Sequence, residues 1–257
     1  MNKKTLIIPA AGKGSRLKTS APKIFTKLYG HRTIFDFIMD QAEVFFDRIC
    51  LILSPSGKDY MNKHIARTHE NLDVMVQPAA NGMFDAINIA LASLRLKNKN
   101  ENIFIQWGDQ PFVDRDLYNS LGNDLKRADA AIPLVWVRDP YVQFKFLNNK
   151  TVTILESREG DECDEAGFKD IGLFAFRENS LLKAWEKYLT VNAKGSITNE
   201  KSFLKIIPLM LEEGVIYWRT DQPTYKSLGI NTPEELSESK MFIDQKRFSM
   251  SFKKQLL

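Results

Sequence analysis

Thr5-Leu6-Ile7-Ile8-Pro9-Ala10-Ala11-Gly12-Lys13-Gly14-Ser15-Arg16-Leu17 runs from a short apolar segment straight into a glycine-bearing loop. The apolar part is too short for a secretory segment and breaks at Pro9, so it reads as a first, buried strand. The glycines after it let the backbone come close to an anion with its N–H groups turned inward, and Lys13 and Arg16 add positive charge. The text is not a Walker A box, which needs Gly-Lys-Ser/Thr after a longer loop. Nor is it the dinucleotide fingerprint, because Leu17 stands where the third glycine would be. By itself the loop fits a tight turn as well as a phosphate site. Ala21-Pro22-Lys23 adds a second basic element: the proline keeps the approach extended, and the lysine can reach the same anion.

Outward from this loop, strand-like runs at Leu6–Ile8, Ile49–Leu53, Val74–Val76 and Ile103–Trp107 alternate with helix-like segments at Ile34–Phe46, Lys58–Arg67 and Met83–Leu94. The alternation predicts an α/β fold with a mostly parallel sheet flanked by helices, whose strands end at a shared ligand-binding edge. Further strands are expected at Ala130–Val137, Gln143–Phe146, Val152–Leu155 and Ile171–Phe176, and helices at Ser180–Tyr188 and Phe203–Glu213. No linker or repeat forces a boundary, so residues 1–236 are expected to form a single domain with halves 1–128 and 129–236. The tail or helix at 237–257 mixes Phe242, Ile243, Phe248 and Phe252 with Lys240, Lys246, Arg247, Lys253 and Lys254. A helix docked on its own domain or on a second copy of the chain is preferred to a membrane-surface helix, which leaves a homo-oligomer open.

With 257 residues, 44% of them apolar and 26% charged, the chain can bury a sizeable core. Its net charge of +4 is what a small acidic ligand would need, so no nucleic-acid partner is expected. No apolar run reaches membrane-span length. Cys50 and Cys163 lie far apart without a Cys-x-x-Cys partner, which predicts neither disulfide nor zinc and fits a reducing, cytoplasmic setting. His31, His64 and His69 lack the partners of a hydrolytic triad or a zinc site.

The strand Ile103–Trp107 ends in Gly108-Asp109-Gln110-Pro111, which brings a carboxylate to the ligand-binding edge. Magnesium takes a few carboxylate oxygens together with phosphates and water, so one well-placed aspartate can anchor it. A turn or cap aspartate is the plainer reading. Gly229-Ile230-Asn231-Thr232-Pro233 offers a second oxygen, or else a helix cap.

The loop, Pro22-Lys23, Gln77 followed by Gly82, Gly108-Asp109-Gln110-Pro111, Glu156 and Gly229-Ile230-Asn231 come in the order seen in sugar-phosphate nucleotidyltransferases. Over nearly its whole length to Leu236 the chain resembles the uridylyltransferase half of the bacterial N-acetylglucosamine-1-phosphate enzyme and the wider molybdenum-cofactor-type NTP transferases. The resemblance implies a Rossmann-like (GT-A-like) fold. It also implies magnesium-dependent transfer of a nucleoside monophosphate from a pyrimidine NTP (UTP or CTP) to a sugar 1-phosphate or other small phosphorylated acceptor, with release of pyrophosphate. Ala10, Ala11, Gly12, Gly14 and Trp107 would line the nucleotide site, and Lys13, Arg16 and Lys23 would hold phosphates, with Arg16 and Lys23 as the catalytic cations. Gln77 and Gly82 would read the base, Asp109 and Asn231 would bind magnesium, and Glu156 and Asp170 would meet the acceptor. In-line displacement at the α-phosphorus needs positioning and charge neutralisation, which these cations and the metal supply. The acceptor's phosphate oxygen is the nucleophile, so no general base is assigned. Nucleotide-sugar supply for a surface polysaccharide follows from family habit, and the lack of hexapeptide repeats predicts a stand-alone transferase.

The sequence departs from that pattern in three places. Asp139-Pro140-Tyr141-Val142-Gln143-Phe144 puts bulk where a glycine-arginine pair approaches the sugar. Asp170 replaces an asparagine, which favours a hydroxyl or amine donor and counts against an N-acetylated hexosamine. Met83 replaces a threonine beside the base, and a Gln77 amide free to flip serves uracil or cytosine. A cytidylyltransferase for a non-sugar phosphomonoester is therefore the alternative. A glycosyltransferase that uses Asp114-Arg115-Asp116 as its metal motif is a weaker one, since the triplet lies where a helix starts. A non-enzymatic nucleotide-binding module would leave Asp109 and Asn231 without a role. Asp161-Glu162-Cys163-Asp164-Glu165 reads as a solvated loop or lid rather than a metal site.

Overall fold

A computed structural model describes residues 3–12, 14–65, 69–95, 101–148, 151–191 and 194–255, excluding the side chains of Arg95 and of 247–255. The first half places strands β1 (Lys3–Pro9), β2 (Lys27–Tyr29), β3 (Arg32–Thr33), β4 (Arg48–Leu53), β5 (Leu72–Val76) and β6 (Glu101–Gln106) among helices α1 (Ile34–Ala42), α2 (Pro55–His64) and α3 (Met83–Arg95). Helix α4 (Arg115–Asp124) leads to β7 (Ala130–Arg138), β8 (Val142–Asn148), β9 (Thr151–Glu156), β10 (Ala166–Asp170) and β11 (Leu173–Arg177). Helices α5 (Glu178–Thr190) and α6 (Ile206–Glu213), strand β12 (Ile216–Arg219) and helix α7 (Pro233–Gln255) complete the chain.

Ten strands form one sheet in the order β5-β4-β1-β6-β11-β7-β10-β8-β9, with β12 beside β7. Within this sheet the first-half strands β1, β4, β5 and β6 run parallel, as their alternation with helices requires, while β2 and β3 pair antiparallel in a separate two-stranded sheet. Strand β11 enters antiparallel between β6 and β7, and β10, β8 and β9 continue antiparallel. Side chains alternate across each strand. Ile7, Ile52 and Ile105 therefore face α3, α5 and α6 in a core with Ile87, Trp185 and Ile207, while Leu6, Ile8 and Leu51 join Phe35, Ile38 and Tyr118 on the other side. Each of these large side chains, fully withdrawn from water, contributes about 1.5–3 kcal/mol. Helix α1 starts at a capping box in which Thr33 and Asp36 satisfy each other's backbone N–H groups.

The run expected as one strand at Ile171–Phe176 is broken. Gly172 adopts φ +75° and its N–H donates to Asp170 Oδ1 at 2.7 Å, which turns the chain between β10 and β11. A Cβ at Gly172 would lie 2.5 Å from Gln110 Cγ, so glycine is required there for space as well as conformation. Strands β2, β3, β10 and β12 are further elements that periodicity does not announce. The expected tail belongs to a helix that begins earlier, at Pro233. Phe242 packs on Phe112 at 5.1 Å and on Tyr225 at 4.8 Å, Ile243 is buried, and Lys246 covers the Tyr225 ring, so α7 docks on its own domain up to Lys246. Arg67 and the side chains of Arg247, Phe248, Phe252, Lys253 and Lys254 lie outside the described residues.

Candidate active site

The parallel strands β1, β4, β5 and β6 all end at one edge, and their following residues build the site. After β1, Gly14 takes φ +60° with its Cα against Lys23, where an added Cβ would sit 2.9 Å from Lys23 Cβ. The loop thus folds back onto the second basic element, as the spacing suggested. Lys13, expected to hold phosphate, lies outside the described residues.

After β6, Gly108 packs so closely that a Cβ would be 3.0 Å from Ala10 Cβ, which sets Asp109 beside the glycine loop. Asn231 reaches the same point from the far end of the chain: the Ile230 N–H donates to the Asp109 carbonyl at 3.0 Å. Thr232-Pro233-Glu234-Glu235 opens α7, and the Glu235 carboxylate accepts from the N–H groups of Asn231 (2.5 Å) and Thr232 (3.0 Å). Glu235 and Thr232 do the capping, so the Asn231 side chain is left to the site. Lys23 Nζ donates to Asp109 Oδ2 at 2.5 Å and to Asn231 Oδ1 at 2.7 Å, and Arg16 Nη2 stands 3.5 Å from the same Asn231 oxygen.

Two converging oxygens that share a cation, with Asp109 Oδ1 buried and lacking a hydrogen-bond partner, form an oxygen donor set suited to magnesium. Among the described residues no group of three or more histidine, cysteine, aspartate or glutamate side chains is placed to hold a metal ion, so a metal here would draw its other ligands from phosphate and water.

Beside the glycine loop a cavity of about 510 Å³ is lined by Ala11, Gly12, Pro22, Tyr60, Gln77 and Ala80. Gly82, at φ +87°, closes the turn after β5 and accepts a hydrogen bond from Gln77 at 3.0 Å. Ala10 continues the sheet, donating to Ile52 at 2.9 Å. Trp107 is not brought to this cavity. Its ring packs on Phe174 at 4.9 Å and Phe203 at 5.5 Å, on the side of the second half.

Beyond Asp109 the antiparallel strands deliver Asp170 and Glu156, both buried. Burial pushes the Asp170 carboxyl above the ordinary range, and nearby Asp109 adds to this against the opposing pull of Lys169 and the Gly172 N–H. Glu156 Oε1 is buried and lacks a hydrogen-bond partner, while Arg158 Nε approaches the other oxygen at 3.5 Å. Tyr141, part of the bulky segment, faces this centre. Burial of its phenol, then Asp170, Asp109 and Glu235, raise its pKa, while Arg16 opposes them. Half of the residue stays exposed, and Lys169 Nζ stands 4.8 Å from the ring. Motif reading overlooked Tyr141 and Glu235, although the Thr-x-x-Glu cap was legible.

Other acidic motifs are engaged elsewhere. Asp114 caps α4 by accepting from the Leu117 N–H and pairs with Lys226 Nζ at 2.9 Å, so Asp114-Arg115-Asp116 is a helix start. In the 161–165 loop Asp161 accepts from the Glu156 N–H, and Asp164 accepts from Gln143 and Lys145.

The MobA-like NTP transferase domain family matches residues 6–171, from β1 through Asp170. The chain belongs to that family. It is thus a nucleotidyltransferase, and its curated relatives include the bifunctional protein GlmU of Caldicellulosiruptor saccharolyticus, 26% identical over 96% of this chain and 54% of that protein. GlmU of Bartonella quintana is 24% identical over 91% and 51%. The chain spans about half the length of these relatives. Among solved structures, 4-diphosphocytidyl-2C-methyl-D-erythritol synthase of Anaerococcus prevotii aligns with a TM-score of 0.67 at 16% identity, covering 95% of this chain and 99% of the other. A Bacillus anthracis protein described as a glucose-1-phosphate thymidylyltransferase aligns with a TM-score of 0.69 at 18% identity, covering 94% and 95%. These two likenesses establish the fold. Among the described residues no helix is long and apolar enough to cross a membrane.

Proposed function

We propose that this MobA-like transferase is a magnesium-dependent, cytoplasmic enzyme that moves a nucleoside monophosphate from a pyrimidine NTP to a sugar 1-phosphate or similar small phosphorylated acceptor. The observation that carries the reading is the convergence of Asp109, Asn231, Lys23 and Arg16 beside the glycine loop. Asp109 and Asn231 would hold magnesium, which when bound neutralises phosphate charge and orients the triphosphate. Lys23 and Arg16 stabilise charge on the phosphates as it develops, and the backbone of Ala10, Ala11, Gly12 and Gly14 lies beside them. The acceptor's phosphate oxygen attacks in line, so the side chains position groups and need take no proton. Asp170, Glu156 and Tyr141 fit an acceptor with hydroxyl or amine donors. Supply of a nucleotide-activated sugar for a surface polysaccharide is the corresponding pathway role.

Pyrophosphate release should be measured with each NTP against a panel of sugar 1-phosphates and small phosphomonoesters. The reading expects activity with one pyrimidine triphosphate and one acceptor, lost in Asp109→Ala. Turnover of a finished nucleotide-sugar without any pyrophosphate-releasing pair would sink it.

A further inference from the structure

Gln77 is buried at the wall of the nucleotide cavity, and a primary amide has only two N–H groups. Both are used: Nε2 donates to the Gly82 carbonyl at 3.0 Å and to Asp85 Oδ2 at 2.9 Å. Each of these partners can only accept. Flipping the amide would break both bonds and set its oxygen against a carbonyl and a carboxylate, so the flip that would let glutamine serve either pyrimidine is blocked. What remains for the cavity is the carbonyl oxygen Oε1.

A fixed acceptor calls for a donor on the base. Uracil and thymine carry an N–H at ring position 3, between two carbonyls, whereas cytosine presents a lone pair there. Gly12, Ala79 and Ala80 line the same cavity and carry no polar side chain that could stand in for this acceptor.

We propose that Asp85 is a positioning residue that sets nucleotide specificity: by locking Gln77 as a hydrogen-bond acceptor it selects uracil- or thymine-bearing triphosphates over CTP. This rests on the assignment of the cavity to the nucleotide. Asp85 also lies in the first turn of α3, where an acidic residue favours the helix dipole. That role alone would not alter the choice of base.

The test is equilibrium binding by calorimetry of UTP, CTP and UTP methylated at ring position 3 to the wild type and to Asp85→Asn. The wild type is expected to bind UTP roughly tenfold to a hundredfold more tightly than CTP or the methylated analogue, which either lack the donor or leave the buried acceptor unpaired. In D85N the asparagine amide can donate to Gln77 Oε1, the glutamine can turn, and the UTP-to-CTP ratio should fall by about tenfold while UTP methylated at position 3 recovers little. The wild-type arm needs no variant to fold. Methylated UTP or CTP binding as tightly as UTP, or a D85N ratio equal to that of the wild type, overturns the inference and leaves the transferase reading standing. Binding of no triphosphate at all overturns the cavity assignment and the inference together.

Discussion

Lys23→Met offers a direct trial of the site's electrostatics. In the wild type the ammonium bridges Asp109 and Asn231, with the two charged side chains only 22% and 15% exposed. Methionine keeps the apolar stem and removes both donated bonds, leaving both Asp109 oxygens unpaired, since Oδ1 already lacks a partner. A hydrogen bond to a charged group contributes about 1.5–3 kcal/mol, and breaking a fully buried pair costs about 3–5. For this partly buried pair about 2–3 kcal/mol is expected, which lowers the melting temperature by roughly 4–12 °C in a domain of this size. Magnesium should recover more stability in the variant than in the wild type, because a metal would take over the ammonium's place between the same two oxygens. Pyrophosphate release should still fall by about 10²–10³, since nothing replaces the charge on the phosphates. Urea melts with and without magnesium, read beside a pyrophosphate assay, measure all three effects. A variant within about 0.5 kcal/mol of wild type that responds to magnesium no more than the wild type does would refute the reasoning.

Gly172→Ala combines a left-handed backbone, costing about 1–2 kcal/mol, with overpacking of about 1–3 against Gln110 and Trp107. Its urea midpoint should fall clearly below that of Gly12→Ala, where an added Cβ meets nothing within 4 Å. Burial opposes ionisation of Asp129, but hydrogen bonds from the Val215 N–H (3.0 Å) and Ser180 hydroxyl (2.8 Å), together with Arg177, outweigh it and hold the carboxyl below its ordinary value. That contribution is complete above the unfolded value of about 3.9 and disappears as pH falls through the lower folded value. Asp129→Asn should therefore cost about 1.5–3 kcal/mol at neutral pH, with the gap to wild type narrowing as urea melts are taken below about pH 4.

The first half was legible because β1, β4 and β6 are largely buried and read as apolar runs between helices, while edge strand β5 still offers Val74–Val76. Strand β11 was legible within Ile171–Phe176, but the turn that starts it was not, since Ile171 and Leu173–Phe176 look continuous until Gly172 is seen to turn the chain. Strand β12 is only four residues long and alternates too briefly to stand out. At the candidate site, Asp109 and Lys23 stood out because each directly follows a glycine or proline, and Asn231 because it lies between Gly229 and Pro233. Asp85 carries no such punctuation, and Tyr141, although it follows Pro140, belongs to a segment whose facing partners are distant in sequence. Their placement depends on which strand or turn lies opposite, and spacing along the chain does not contain that. The side on which the Trp107 ring packs, against Phe174 and Phe203, was not legible because a residue at a strand end can face either side of the sheet.

The insertion of β11 between β6 and β7 also governs how the chain comes into being. As it leaves the ribosome, β6 is complete once residue 106 is made, yet its outer edge has no partner until residues 173–177 emerge. Throughout that interval a growing chain carries an open strand edge, the kind of template on which neighbouring polypeptides pair. Asn231 emerges later still, so the edge is sealed before Asp109, Lys23 and Asn231 can come together. Exposure of β6 to such pairing thus falls in the interval of synthesis between residues 106 and 173.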